Sequence, residues 1–426
     1  MAIKLGCIAD DFTGATDLAN NLVQAGMRVL QAMDVPGEPL RSDVDAVVIA
    51  LKSRTIPAAD AVKESLAALR WLRAQGAAQI YFKYCSTFDS TKEGNIGPVT
   101  EALMDALDTR FTIATPAFPD NKRTVFKGYL FVGDVLLNES GMQNHPLTPM
   151  TDSNLVRVMQ AQCARKVGLI DYTVVQKGAD AVRQRVSELQ ASGVAIALVD
   201  ALSNHDLATL GAAFKDLPLV TAGSGLAIGL PQNFGLAPSG QAASLPPGSG
   251  ARAIVSGSCS EATNAQVAAF MASGHAALAL DPLQGASGAD VVGAILAQAV
   301  PLLEKGPVLV YSTADAAAVK TVQEKLGVAQ AGALIEETLA AIARGLVRHG
   351  VAQLIVAGGE TSGACVRALG ISQMQIGRQI DPGVPWCFAQ TRVPDNKGIH
   401  IALKSGNFGS EDFFTKAFDC LAGQTA

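Results

Sequence analysis

Short apolar runs of strand length recur along the whole chain, among them "KLGCIA" at 4–9, "AVVIAL" at 46–51, "QIYFKY" at 79–84, "VAIALVD" at 194–200, "ARAIVSGS" at 251–258 and "QLIVAGG" at 353–359. Most are separated by segments of helical period, such as "AADAVKESLAALRWLRAQG" at 58–76 and "ETLAAIARGLVRHG" at 337–350. Alternation of this kind predicts an α/β fold, because parallel strands need crossover connections and bury both faces under helices. At roughly 150 residues per domain, 426 residues predict two or three domains, and large α/β domains favour two. The Pro-, Gly- and Ser-rich stretch "LAPSGQAASLPPGSG" at 236–250 lacks periodicity and reads as the connection, giving domains 1–238 and 250–426. Each is expected to carry a mainly parallel sheet flanked by helices. The Gly-punctuated β-rich segment 123–150 breaks the alternation and reads as a hairpin and ordered loop inserted beside the site.

Hydrophobic residues at 49% against 17% charged exclude a disordered chain. The net charge of −5, with Lys and Arg scattered, removes the basic stripe a nucleic-acid binder needs and points to a small ligand. Seven cysteines lie far apart, without a C-x-x-C pair or a histidine cluster to complete a zinc site, and read as reduced structural thiols. "MAIKLGCIADD" enters a strand pattern directly, without signal-peptide features, and no apolar run approaches the roughly 18 residues of a membrane helix. The expectation is a cytoplasmic protein with no membrane association.

In open parallel sheets, ligands bind beyond the carboxyl ends of the strands, so polar or glycine-rich residues there carry the information. "ADDFTGATD" places Asp10 and Asp11 between a strand and a helix. One acid caps a helix readily; a second beside it fits the base of a phosphoryl transfer, or an Mg²⁺ ligand near phosphates. A capping-only role and an aspartyl nucleophile stay open, although the latter chemistry favours acids two apart. "KYCSTFDSTKEGN" gathers Lys83, Ser86, Thr87, Asp89, Ser90, Thr91 and Asn95, a density of hydroxyls and amides that suits a polyhydroxylated ligand. Ser53 and Arg54 stand at another strand end, and Arg54 is the candidate for a substrate carboxylate because its guanidinium is planar and bidentate. His145 and His205 read as surface residues, and nothing supports a Ser/His/Asp triad.

The second half offers glycines and hydroxyls instead. In "IVAGGETSGA", Gly358 and Gly359 let backbone approach a ligand while the following helix presents N–H groups to an anion; the alternative is a plain turn with Thr361 or Ser362 as N-cap. "VSGSCSEATN", with Gly257, Ser256, Ser258 and Ser260, and "LKSGNFG" repeat the theme and together indicate nucleotide phosphate binding. None is a P-loop.

Taken together, "ADDFTGATD", "KYCSTFDSTKEGNIGP", "VSGSCSEATNAQ", "VAGGETSGA" and "LKSGNFG", in this order across both domains, resemble the four-carbon acid sugar kinases. Members acting on threonate or erythronate carry a loop resembling K-x-D-S-T-x-R-G-N, whereas "KYCSTFDSTKEGN" looks like the 3-oxo-tetronate branch. The resemblance implies an N-terminal domain that binds the sugar acid, a C-terminal domain that binds ATP with Mg²⁺, and an active site in the interdomain cleft that closes on its ligands. It implies phosphorylation of the 4-hydroxyl, with Asp11 as base ahead of Asp10 and with Thr13, Ser53, Arg54, Lys83, Ser86, Asp89, Ser90, Thr91 and Asn95 around the substrate. The nucleotide residues are Ser258, Gly358, Gly359, Glu360, Thr361, Ser362, Gly363 and Gly406; metal ligands are not assigned. A homodimer is the expected assembly. Threonate or erythronate kinase, and a non-catalytic sugar-acid sensor, are the alternatives carried forward.

Overall fold

Leu5–Ala9 is buried at every position, as a strand covered on both faces must be, and it is an interior strand of its sheet, paired on both sides. The computed structural model describes residues 2–37, 44–88, 91–144, 148–281, 290–313, 327–396 and 398–422, and the chain divides into two units, Met1–Ala243 and Ser244–Ala426. Strands of the first unit are β1 (Leu5–Ala9), β2 (Val29–Met33), β3 (Ala46–Ala50), β4 (Gln79–Lys83), β5 (Thr112–Thr115), β6 (Arg123–Phe126), β7 (Tyr129–Val132), β8 (Val135–Leu136), β9 (Val167–Ile170), β10 (Ile196–Val199) and β11 (Leu219–Ala222). Its main sheet runs β2-β3-β1-β4-β11-β5-β10-β9, parallel throughout. Helices Phe12–Gln24, Ala58–Ala74 and Ile96–Ala106 follow β1, β3 and β4. The irregular segment folds as a separate antiparallel sheet, β6-β7-β8.

The second unit contains β12 (Ala251–Ser256), β13 (Ala276–Ala279), β14 (Val308–Tyr311), β15 (Val351–Ala357), β16 (Gln373–Asp381), β17 (Val384–Ala389) and β18 (Ile399–Lys404), in the order β13-β14-β12-β15-β18-β17-β16. β13 to β18 along this order are parallel, while β17 and β16 return antiparallel. The hairpin between them turns at Gly383, whose φ of 78° is open to glycine at little cost. The core gathers Trp386, Phe270, Phe413, Phe414 and Phe418, and the buried Trp386 indole donates to the Ala417 carbonyl at 2.7 Å.

At the opposite end of the first sheet from the strand-end loops, Asp45 ties together the starts of three strands. Its carbonyl accepts from Lys4 N at 2.8 Å, its N–H donates to Arg28 O at 2.9 Å, and its carboxylate accepts from Arg28 N and Nε, both at 3.1 Å, and from Lys4 Nζ. Burial opposes the charge, but these donors outweigh it and lower Asp45 to about 2. A depressed carboxylate stabilises the fold above its unfolded pKa and loses that contribution as pH falls through its folded one. Lys4 and Arg28 are 37% and 45% exposed, so solvent screens the pairs. Asp45→Asn should therefore cost about 1 kcal/mol near neutral pH, with the gap to wild type narrowing between about pH 5 and pH 3 in denaturant titrations. A gap independent of pH would contradict this.

Candidate functional site

Register decides which side chains meet. β1 lies between β3 and β4 with Ala9 level with both Ala50 and Lys83. Pairing continues past the strands: Asp10 N donates to Lys83 O at 3.1 Å, and Ser53 N donates to Asp10 O at 3.0 Å. Asp10, Arg54 and Lys83 thus converge from three neighbouring strand ends. Asp11 then adopts extended backbone, φ −151°, and caps helix Phe12–Gln24 by accepting from Gly14 N at 3.1 Å.

The two acids have different tasks. Arg54 grips Asp10 bidentately, Nε to Oδ2 at 2.9 Å and Nη2 to Oδ1 at 2.8 Å, and Nη2 also reaches Asp11 Oδ1 at 2.6 Å. Lys83 Nζ, itself buried, lies 3.5 Å from Asp11 Oδ1, and Thr13 Oγ1 donates to Asp11 Oδ2 at 2.9 Å. Burial disfavours an ionised Asp11, yet Arg54 and Lys83, with the bonds from Thr13 and Gly14, hold its carboxyl well below the usual carboxylate range. A third carboxyl, that of buried Asp17, also interacts with Lys83 and Asp11, and burial pushes its pKa up. The Asp11 side chain is 27% exposed against 8% for Asp10, which makes Asp11 the carboxylate a ligand can reach. Arg54 Nη1 donates to no acceptor among the described residues, and neither does Lys83 Nζ beyond its ion pair.

Arg54 is therefore first a partner of the acids, with one nitrogen left for a ligand. Asn95 likewise differs from its expected role: Nδ2 donates to Ser53 O at 2.8 Å, Arg54 O at 3.2 Å and Ile56 O at 2.8 Å, fixing the segment that carries Arg54. Ser53 is buried beneath it. Gly14 was not singled out by sequence reasoning, yet a Cβ there would fall on Lys83 Nζ and Asp11 Oδ1. In the loop after β4, Tyr84 and Phe88 anchor in the core with ring centroids 5.3 Å apart. Between them Ser86 stays partly exposed, while Thr87 is buried and shares a 2.9 Å hydrogen bond with Cys85 Sγ. Thr91 is partly exposed; Asp89, Ser90 and His145 lie outside the described residues. His205 is exposed.

In the second unit β12, β15 and β18 are neighbours, so the loops after them meet. Gly358 N donates to Lys404 O at 2.8 Å, and Ser260 Oγ donates to Gly406 O at 2.6 Å. Helix Gly359–Ala368 has Gly358 as N-cap with no side-chain cap bond, which overrules Thr361 and Ser362 as caps and leaves first-turn N–H groups for an anion. Gly358 has φ 122°, and a Cβ on it would come within 2.9 Å of Thr361 Oγ1 and 3.2 Å of Ser258 N; at Gly359 the space is open. Glu360 is exposed in the first turn, while Thr361, Ser362 and Gly363 are buried. Ser258 Oγ stands where a Cβ on Gly406 would approach to 2.7 Å.

Among the described residues no cluster of three or more His, Cys, Asp or Glu could hold a metal. Asp10 and Asp11 accept from Arg54, Thr13 and Gly14 and face Lys83, so they do not fit as Mg²⁺ ligands. No described helix is long and apolar enough to cross a membrane.

A family model described as a sugar-binding N-terminal domain matches residues 5–230, and one described as a nucleotide-binding C-terminal domain matches residues 253–414. A protein of Burkholderia multivorans named 3-oxo-tetronate kinase is 59% identical, covering 98% of this chain and 97% of its own. One of Pseudomonas fluorescens with the same name is 57% identical, covering 99% and 98%. The crystal structure of a Haemophilus influenzae protein, 46% identical, superposes with a TM-score of 0.84 over 98% of this chain and 100% of that one.

The charge network makes a spectroscopic prediction. Arg54→Met leaves neighbouring, largely buried carboxylates with Lys83 alone, so burial and mutual repulsion should raise one of them. Carboxyl ¹³C titration should show Asp11 ionised down to about pH 3 in the wild type, and one of Asp10 and Asp11 titrating above about pH 5 in the variant. Unchanged titration would mean Arg54 does not set their charge.

Proposed function

The chain belongs to the four-carbon acid sugar kinase family, and we propose that it is a 3-oxo-tetronate 4-kinase, transferring the γ-phosphate of ATP to the 4-hydroxyl of 3-oxo-tetronate. The observation that carries this reading is the pairing of chemistries: a charged strand-end cluster with spare cationic donors in the unit matched by the sugar-binding model, and uncapped glycine loops in the unit matched by the nucleotide-binding one.

Arg54 Nη1 and Lys83 Nζ receive the substrate carboxylate, because among the described residues Arg54 Nη1 has no acceptor and Lys83 Nζ has only its 3.5 Å ion pair with Asp11. Thr13, Ser86 and Thr91, with Asp89 and Ser90 of the same loop, address the carbonyl and hydroxyl groups of the acid. Asp11 accepts a hydrogen bond from the 4-hydroxyl and takes its proton as the oxygen–phosphorus bond forms and ADP departs. A carboxylate held so acidic is a weak base, which suits phosphoryl transfer: in a loose transition state the proton leaves late and orientation matters most. Asp10, Ser53 and Asn95 position Arg54. The phosphates lie at the first turn of Gly359–Ala368 against Gly358, Glu360 and Thr361, with Ser258 and Gly406 from the adjoining loops; Ser362 and Gly363 support that turn from within. Glu360, exposed in that first turn, is the carboxylate that would hold Mg²⁺ beside the phosphates, where the ion would neutralise their charge. Cytoplasmic location and a homodimer complete the proposal.

The assay is ADP release with ATP, Mg²⁺ and a panel of 3-oxo-tetronate, threonate and erythronate. The expected order puts 3-oxo-tetronate first in kcat/KM; a higher value for threonate or erythronate would move the chain to that branch. No ADP with any of them, accompanied by ligand-induced thermal stabilisation, would indicate a sensor. Asp11→Asn should lower kcat by roughly 10²–10⁴ with KM for ATP within about twofold. Gly358→Ala should do the reverse, raising KM for ATP, because its backbone is left-handed and crowded whereas Gly359 has room for a side chain. Normal turnover in both Asp11→Asn and Asp10→Asn would leave the acids as structural groups only, and an unchanged KM for ATP in Gly358→Ala would place its turn outside the nucleotide site.

A further inference from the structure

Lys404 ends β18 with 0% exposure, and no carboxylate contributes to its charge balance among the described residues. Its Nζ donates to Thr263 Oγ1 at 3.0 Å and to three carbonyls of the following loop, Ser405 O at 3.1 Å, Gly406 O at 3.0 Å and Phe408 O at 3.1 Å. Gly406 O also accepts from Ser260 Oγ at 2.6 Å and Thr263 Oγ1 at 2.9 Å, while Gln266 Nε2 binds Phe408 O, Gly409 O and Ser410 O at 3.0–3.1 Å. In a trans peptide the N–H points opposite to the carbonyl of the preceding residue. Drawing Ser405, Gly406 and Phe408 carbonyls inward turns the Gly406, Asn407 and Gly409 N–H groups outward, and these have no backbone acceptor among the described residues. Gly406 stands directly against Ser258.

We propose that Lys404 is the positioning residue of the nucleotide site: its buried ammonium holds the 405–410 loop with N–H groups facing the phosphates, whose charge is the counter-ion it lacks, so that nucleotide binding and protonation of Lys404 are linked. The proposal rests on the reading of Ser244–Ala426 as the ATP-binding unit. An isolated buried ammonium is costly, and burial lowers Lys404 to about 8. Below that pH the group is charged already and affinity should be flat. Above it the free protein gives up a proton that binding must restore, and affinity should fall by up to about tenfold per pH unit. The helix Glu261–Ala272 faces Lys404 with neutral Thr263 and Gln266. Other ionisable groups of the surrounding loops are Cys259, Glu261 and Glu360, and beyond the 405–410 loop Glu411, Asp412 and the Asp381–Lys416 pair at 2.6 Å.

Calorimetric titration of the full chain with ADP from pH 7.5 to 9.5, in buffers of different ionisation enthalpy, tests this. It is run in a Cys259→Ser background to remove the loop thiol. The expected result is net proton uptake near pH 8.5 and affinity roughly tenfold weaker at pH 9.5 than at pH 8. In Lys404→Met, affinity at pH 7.5 should fall at least about tenfold, with uptake and pH dependence both gone; Lys404→Arg should keep affinity and lose only the pH dependence. Wild type that binds ADP without proton uptake, or Lys404→Met with an unchanged profile, overturns the proposal, and the wild-type result decides even if Lys404→Met does not fold. Wild type that does not bind ADP at any pH would instead overturn the kinase reading.

Discussion

The Arg54 guanidinium, held between Asp10 and Asp11, is the interaction on which the charge balance at the first unit's strand ends depends. Adjacent carboxylates at a buried strand end repel each other and lose solvation, so without a cation at least one would take up a proton. Arg54 reaches both because β3 lies beside β1, and Lys83 reaches Asp11 because β4 lies on the other side. Three parallel strands in register therefore set the charge state of the acids. Gly14 leaves the room that lets the Lys83 ammonium approach the first helical turn.

In the second unit the same device appears with its sign reversed. A buried cation, Lys404, gathers carbonyls instead of carboxylates, and the outward field is that of backbone N–H groups. Glycine matters here at one place above others, since Gly358 combines a left-handed φ with contacts to Thr361 and Ser258. Phosphoryl transfer asks little covalent chemistry of a protein, and fixed charges in one unit with fixed dipoles in the other are what the proposed reaction requires.

The α/β architecture was legible because strands buried on both faces leave contiguous apolar runs, and the polar and glycine-rich loops were legible as strand-end loops because they follow those runs directly. Roles within the loops were less so. Arg54 reads as a free guanidinium until the register of β3 on β1 is known, and Asn95 reads as a ligand amide until its three carbonyl partners are seen. Adjacent glycines in "AGGE" look equivalent in sequence; only φ separates the strained Gly358 from the open Gly359. Lys404 closes an apolar strand and resembles any lysine at a strand end, its burial arising from the fold-back of the loop that follows it and from helix Glu261–Ala272, distant in sequence. The antiparallel pair β16 and β17 escaped notice for a different reason, since "QMQIGRQID" mixes polar and apolar residues without a long apolar run.

The most direct test of the account is the identity of the product. Purified protein, ATP, Mg²⁺ and 3-oxo-tetronate should give one ADP for each phosphorylated acid, with the ³¹P signal coupled to the C4 methylene protons. Phosphorus coupled at C2 instead, or ADP and inorganic phosphate with no phosphorylated acid, would contradict it.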